Sequence, residues 1–363
     1  MASPLLDVSW DQCLLEPAPD RQAEAALRRE TGSAPGWIRY FLSCPWLPRA
    51  AIRLAIDNKL LVDLDFPTVD LIGLVVSQEN ACRYCYAVTR MTLRVLGMSE
   101  ERMQQLEQRL ASGDLEPKAV AAIRFARRMT RASPLVTSQD LESLRGTGYS
   151  DAQIREIAFC VAFIAFFNRI STIPALPPHS WEQLADRWFM RAFRPLFARS
   201  VRGWRKRGQP ASFPQPPTGP FAGLLLQFES SPIGPVLESV LKDLWASPIL
   251  SRRAKALMFA VIGRGLDCQN SSEEIAGVLE AEGLTPADAE QILAHLGGPG
   301  LDARETALLA FARDTIRYEP IQIQRRARDL REQLSAPQFV EAVGVAALAN
   351  SMCRLCAVLP RRP

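Results

Sequence analysis

Two cysteines three residues apart, Cys82 and Cys85, lie in the stretch VDLIGLVVSQENACRYCYAVTRMTLRVLG, residues 69–97. On a helix, positions i and i+3 share a face, so the two sulfurs can approach disulfide distance with modest adjustment. Asn80 precedes them as a candidate helix cap. That puts both sulfurs in a first helical turn, where the partial positive charge of unpaired N–H groups favours thiolate over thiol. The chemistry this predicts is nucleophilic attack by sulfur followed by closure of a disulfide; a buried, purely structural pair is the alternative.

The other cysteines offer less. A second Cys-x-x-Cys, Cys353 and Cys356, falls at a helix end near the C-terminus, where the dipole opposes thiolate formation, so it reads as structural. Cys268 reads as a small buried hydrophobe. A four-cysteine zinc site joining the two pairs is disfavoured, because neither pair has a Gly-rich knuckle and both sit in helical sequence. The sequence calls for no metal and no cofactor. The only histidines are His179 and His295.

The elements that must position these residues are helices. Apolar residues recur three and four apart from about residue 48 onward, and alternating β-branched runs are missing, which predicts an all-α fold. Residues 115–134 (LEPKAVAAIRFARRMTRASP) align without a gap on 301–320 (LDARETALLAFARDTIRYEP), an offset of 186 that also carries Gly97 onto Gly283 and Cys82 onto Cys268. Farther on the offset is 185, placing Ser150 and Gln153 on Ser335 and Gln338, each pair a capping box before a long apolar helix. A duplicated helical domain follows. The boundaries are an N-terminal extension (1–39), a first domain holding the dithiol (40–178), a linker (179–221) and a second, degenerate domain (222–363).

Within the linker, 180–207 interleaves aromatic residues such as Trp188, Phe193 and Trp204 with Arg187, Arg191, Arg194, Arg199, Arg202 and Arg205, before the Pro-rich GQPASFPQPPTGP. It reads either as a helix for a membrane surface or an acidic partner, or as a helix packed on one repeat with its arginines solvated. Pro195 is expected to break or kink it.

At 363 residues the chain is longer than one core usually organises. With 48% hydrophobic and 23% charged residues it reads as globular rather than disordered. Only five of 43 basic residues are Lys, and the arginines are scattered among 39 acids, which argues against nucleic acid. Met1–Asp11 has neither a basic n-region nor an apolar run, so no signal peptide or membrane span is expected. A reducing cytoplasm is the default location, where Cys-x-x-Cys points to redox chemistry.

Around Cys82 and Cys85 the chain resembles the alkylhydroperoxidase (AhpD-like) and carboxymuconolactone decarboxylase-like superfamily. That family's peroxidase motif is an acid, eleven intervening residues, then Cys-x-x-Cys-x-x-x-His, often with Asn two before the first Cys. The matching residues are Asp70, Asn80, Cys82 and Cys85; an aromatic between the cysteines (Tyr84) and Asn168-Arg169-Ile170 also fit. The resemblance covers about 40–178 and, weakened, 222–358. It implies two tandem AhpD-like domains that form an intramolecular pseudo-dimer, with higher homo-oligomers left open. It also implies a peroxidase in which Cys85 attacks a hydroperoxide, Cys82 resolves the sulfenic acid, and a thioredoxin-like or lipoyl-type carrier restores the dithiol.

Two relay positions depart from the motif: Asp70 replaces a longer Glu, and Thr89 stands where the His belongs. A Thr hydroxyl passes a hydrogen bond but cannot act as a base near neutral pH, so weak turnover is expected, with the helix start, Arg83 and Arg90 left to activate the thiol. The competing reading is a non-catalytic scaffold or redox sensor. Ring decarboxylation is disfavoured because that branch generally lacks paired cysteines. In the second copy Ala256, Ser271 and Ile275 occupy the acid, second-cysteine and histidine positions, so no relay can assemble there.

Overall fold

The computed structural model describes residues 12–55, 59–131, 135–177, 188–298, 300–317 and 319–359. Met1–Asp11, His179 and the first residues of the basic linker helix lie outside them. Every regular element among the described residues is helical, as the apolar spacing predicts. The first half comprises α1 (Arg21–Thr31), a 3-10 turn (Gly36–Tyr40), α2 (Trp46–Arg53), α3 (Phe66–Glu79), α4 (Arg83–Leu96), α5 (Glu100–Ser112), α6 (Pro117–Thr130), α7 (Ser138–Gly146) and α8 (Asp151–Thr172). Then come the linker helix α9 (Trp188–Trp204) and two short turns over 222–228. The second half is α10 (Ile233–Ala246), α11 (Arg252–Gly265), α12 (Gln269–Ala281), α13 (Pro286–His295), α14 (Ala303–Asp314), α15 (Pro320–Gln333) and α16 (Ala336–Val358).

The register read from the sequence is visible helix by helix. α3, α4, α5 and α6 begin 186 residues before α11, α12, α13 and α14, and α8 begins 185 before α16. The same positions start the helices: the N-caps are Asp65 and Ser251, Cys82 and Cys268, Ser99 and Thr285, Glu116 and Asp302. Both long helices open on the expected capping box. The Ser150 N–H donates to Gln153 Oε1 and the Ser335 N–H to Gln338 Oε1, each at 3.1 Å, and each Ser hydroxyl accepts from the Gln N–H.

α8 and α16 are apolar on nearly all sides, so each must be buried all round, and they pack against one another. α3 and α6 flank α8; α11 flanks α16. Most buried apolar residues of both halves, from Leu15 to Leu359, form one continuous cluster, and Leu27, Ile38 and Ile52 form a small separate one. Among the described residues α16 is the helix long and apolar enough to cross a membrane, and its apolar window is wholly buried in the protein.

Polar groups lock the halves in a repeated way. Glu156, on the second turn of α8, accepts from the Val62 N–H (2.7 Å) and the Leu64 N–H (2.6 Å); its counterpart Glu341, on α16, accepts from the Leu250 N–H and from Trp46 Nε1 (2.9 Å). Leu64 and Leu250 are themselves 186 apart, so the same carboxylate holds the same loop twice. Burial raises Glu156 above its ordinary value, while the N–H donors pull it down. α9 runs through Pro195 from Trp188 to Trp204 and packs on α4, so the proline does not end the helix.

Candidate functional site

The cysteines are placed by a tight corner between α3 and α4. Asn80 closes α3, Ala81 turns the chain with φ 45°, and the Cys82 N–H reaches back to the Ser77 carbonyl at 2.8 Å. A left-handed Ala costs about 1 kcal/mol, and Asp267 (φ 50°) repeats it at the matching position of the second half. Asn80 therefore does not cap α4; Cys82 does. Its Sγ accepts the Cys85 N–H at 3.4 Å, where a helix usually places Ser, Asp or Asn. Asn80 instead donates through Nδ2 to Asn168 Oδ1 at 2.8 Å, near the end of α8.

Both cysteines are free thiols, and each shifts the ionisation of the other. Cys82 is fully buried, which alone would suppress its thiolate. Donation from the Cys85 thiol, the Thr172 hydroxyl and the N–H groups of Cys85 and Tyr84 outweighs that, leaving Cys82 below the ordinary thiol value. Cys85 moves the other way, held well above its ordinary value first by its bond to Cys82, then by burial and by the Cys82 charge. Asn168 and Ser171 partly offset this, with Ser171 Oγ 3.9 Å from Cys85 Sγ. Ionisation of the pair is thus eased at Cys82 and opposed at Cys85. Cys85 nevertheless keeps part of its surface open to solvent, whereas Cys82 has none.

The two other motif positions do not join this cluster. Asp70 lies in the second turn of α3, after an N-cap supplied by Asp65, and its carboxylate is taken by Arg205 just beyond α9, with Nη1 at 3.0 Å. Burial raises Asp70 and Arg205 lowers it, with a net rise. Thr89 Oγ1 donates to the Cys85 carbonyl at 3.1 Å and packs against Gly73 of α3, so it too is turned from the sulfurs. Arg90 does not activate the thiols: its guanidinium is bound to Glu100 and Glu107, and Tyr86 also donates to Glu107. The expected acid and hydroxyl are near the dithiol in sequence but are spent on other partners.

The groups that do touch the sulfurs, Asn168, Ser171 and Thr172, come from the last turns of α8. The same offset of 185 sets Asn168 and Ser171 on Cys353 and Cys356, which marks a position where both halves place a polar or sulfur group. Tyr84 lies beside the pair; burial first, then the cysteine charges, push its hydroxyl above the ordinary range. The N-terminal segment lies over the end of α8 through the Leu14 N–H, which donates to the Pro174 carbonyl at 2.9 Å.

The second half assembles the counterpart from substituted residues. Cys268 holds the N-cap position of α12 as Cys82 does that of α4, but without a side-chain cap bond, and Ser271 hydrogen-bonds Cys353 as Cys85 bonds Asn168. Burial pushes Cys353 up to about 12, and Cys268, Cys353 and Cys356 are all buried, in keeping with structural thiols. Among the described residues no group of His, Cys, Asp and Glu could hold a metal ion. Comparison of the chain with protein-family models, curated proteins and solved structures gives no match.

Proposed function

We propose that the chain is a dithiol redox protein that reduces a hydroperoxide slowly through Cys85 and Cys82, in the manner of the AhpD-like family its motif resembles, with its two halves acting as an intramolecular pseudo-dimer. The observation that carries this is the placement of both sulfurs at the head of α4, where Cys82 Sγ accepts the Cys85 N–H at 3.4 Å, Ser171 Oγ lies 3.9 Å from Cys85 Sγ, and Cys85 keeps part of its surface open to solvent.

In the reaction, Cys82 accepts the Cys85 proton and the Cys85 thiolate attacks the distal peroxide oxygen. The O–O bond breaks, the alkoxide takes one proton, and Cys85 becomes a sulfenic acid. The Cys82 sulfur then forms the disulfide by displacing hydroxide, which takes up a proton from solvent and leaves as water. Two thiols and one hydroperoxide give one disulfide, one alcohol and one water; a thioredoxin-like or lipoyl-type dithiol returns the pair to its reduced form. The missing imidazole leaves the departing alkoxide without a placed acid, which is why the rate is low.

A sensor that oxidises once and is read by a partner is the second reading. The engagement of Asp70 by Arg205 favours it, since a closed ion pair removes the acid of the motif from proton traffic.

Stopped-flow consumption of an alkyl hydroperoxide with a dithiol reductant tests the proposal on the wild type, Cys85→Ser and Cys82→Ser. Loss of turnover in both variants supports the enzyme. Equal background rates in all three, with a disulfide still trapped in the wild type, leave the sensor; equal rates with no disulfide remove both.

A further inference from the structure

The linker helix carries a surface that the dithiol chemistry does not use. Residues 187–228 contain eight Arg and Lys and no Asp or Glu. α4, on which α9 packs, also has no acid in its sequence RYCYAVTRMTLRVL. Arg194, Arg199, Arg202, Lys206 and Arg207 are exposed, whereas Arg205 turns inward to Asp70. Among these cations stand Leu196 and Phe197, 63% and 41% exposed, two of only four large hydrophobic side chains so exposed among the described residues. Ala198, next in sequence, is buried, so α9 seats one side and offers the other.

Between α9 and the end of α4 runs a groove of about 390 Å³ lined by Val95, Gly97, Arg194, Pro195 and Arg202 among others. Gly97 keeps it open, because a side chain there would start 3.0 Å from the Arg194 guanidinium and its φ of 120° excludes other residues. Two guanidiniums over a cleft form a fork suited to phosphate oxygens.

We propose that this face of α9 and the following Lys206 and Arg207 dock on an anionic phospholipid surface. Headgroup phosphates meet Arg194, Arg199 and Arg202, and the tips of Leu196 and Phe197 enter the acyl boundary. The adjoining apolar pair selects a bilayer over an acidic polypeptide, which would satisfy the cations but leave the apolar tips in water. Docking there holds the chain at a membrane surface without any segment crossing it.

The test is cosedimentation of the full chain with vesicles of phosphatidylcholine alone and of phosphatidylcholine mixed with phosphatidylglycerol. We compare the wild type, Arg199→Glu/Arg202→Glu and Leu196→Ser/Phe197→Ser, whose thermal melts report that the fold is kept. The expected result is partition onto the mixed vesicles alone. It should be weakened by salt, reduced at least about tenfold in the charge variant, since each lipid-facing cation contributes about fivefold, and reduced severalfold in the apolar variant. Equal binding to both vesicles, binding that survives both variants, or no binding overturns the proposal. So does capture by polyglutamate without capture by vesicles, which marks an acidic protein partner. Binding of soluble glycerophosphate as tight as that of vesicles marks a free-phosphate site and likewise overturns it.

Discussion

Arg169 and Arg354 make the same contact from opposite halves of the chain. Arg169, on α8, donates through Nη2 to the Thr315 carbonyl at 3.1 Å; Arg354, on α16, donates through Nη1 to the Met129 carbonyl at 2.9 Å. Met129 and Thr315 are 186 apart and the arginines 185, so each half closes the helix end of the other. Both guanidiniums are buried, and burial first, then the neighbouring Arg169 cation, pushes Arg354 down to about 9, still charged at neutral pH.

Removing either arginine strands carbonyls at a buried helix end, so Arg169→Ala and Arg354→Ala are each expected to cost about 3 kcal/mol in urea denaturation. The two cations also repel, and each single variant relieves that repulsion for the one that remains. The double variant is therefore expected to cost more than the sum of the singles, by about 1 kcal/mol. A double-mutant cycle showing strict additivity would mean that the pair is not electrically coupled.

What the sequence disclosed and what it hid follow from the range of the interactions. Caps, periodicity and the repeat are local, so the helix starts at Ser150 and Ser335 were legible from a few residues each, whereas the turn at Ala81 that makes Cys82 rather than Asn80 the cap of α4 was not. The Glu156 and Glu341 anchors were not, because a buried acid on an apolar helix has meaning only once the Leu64 and Leu250 loops are folded against it. The dithiol itself was legible. Its Asn168, Ser171 and Thr172 shell, contributed by a helix more than eighty residues away, was marked only by the alignment of the two repeats. Asp70 was placed in a relay because its spacing fits one; Arg205, which takes it, is supplied by a linker whose return path no spacing encodes.

The opposite shifts of the two sulfurs give a titration with a definite sign. Cys82 lies below the ordinary thiol value and Cys85 well above it, so ultraviolet thiolate absorbance should show one sulfur ionising early and the other late. In Cys82→Ser, Cys85 loses the largest cause of its rise and is expected to titrate earlier than in the wild type. In Cys85→Ala, Cys82 loses a thiol donor while its burial remains, and is expected to titrate later. Difference spectra against the wild type separate the pair from Cys44 and Cys353, which burial keeps protonated. Two equal ionisations near the ordinary value would show that the sulfurs do not communicate.

The Asp70–Arg205 pair predicts a pH dependence of stability. Asp70 is raised in the folded protein even with Arg205 beside it, so its contribution is most favourable below its unfolded value and declines as pH rises through the folded one. Arg205→Ala leaves the buried carboxylate unpaired and raises Asp70 further. The variant is expected to lose about 3 kcal/mol at neutral pH and much less in acid. Asp70→Asn/Arg205→Ala, which has no charge to bury, should recover part of the loss and show a flatter profile. Denaturant midpoints measured from acid to neutral pH check both, and an Arg205→Ala loss independent of pH would place its cause in packing on Phe66 rather than in charge.

Restoring an imidazole with Thr89→His is the direct test of what the motif lacks, and the structure sets its expected size. Thr89 Oγ1 would lie 3.3 Å from a side chain on Gly73, so α3 and α4 approach closely there and a ring has to displace its neighbours, costing about 1–3 kcal/mol. A ring that enters would still lack a free carboxylate, because Asp70 is held by Arg205. Thr89→His alone is therefore expected to raise peroxide consumption by less than the about 100-fold that a well-placed general acid supplies. Thr89→His/Arg205→Ala, which frees the carboxylate as well, should exceed the single variant. Stopped-flow rates under a dithiol reductant rank the three proteins. A single variant faster than the double would show that Arg205 supports the site rather than withholding its acid.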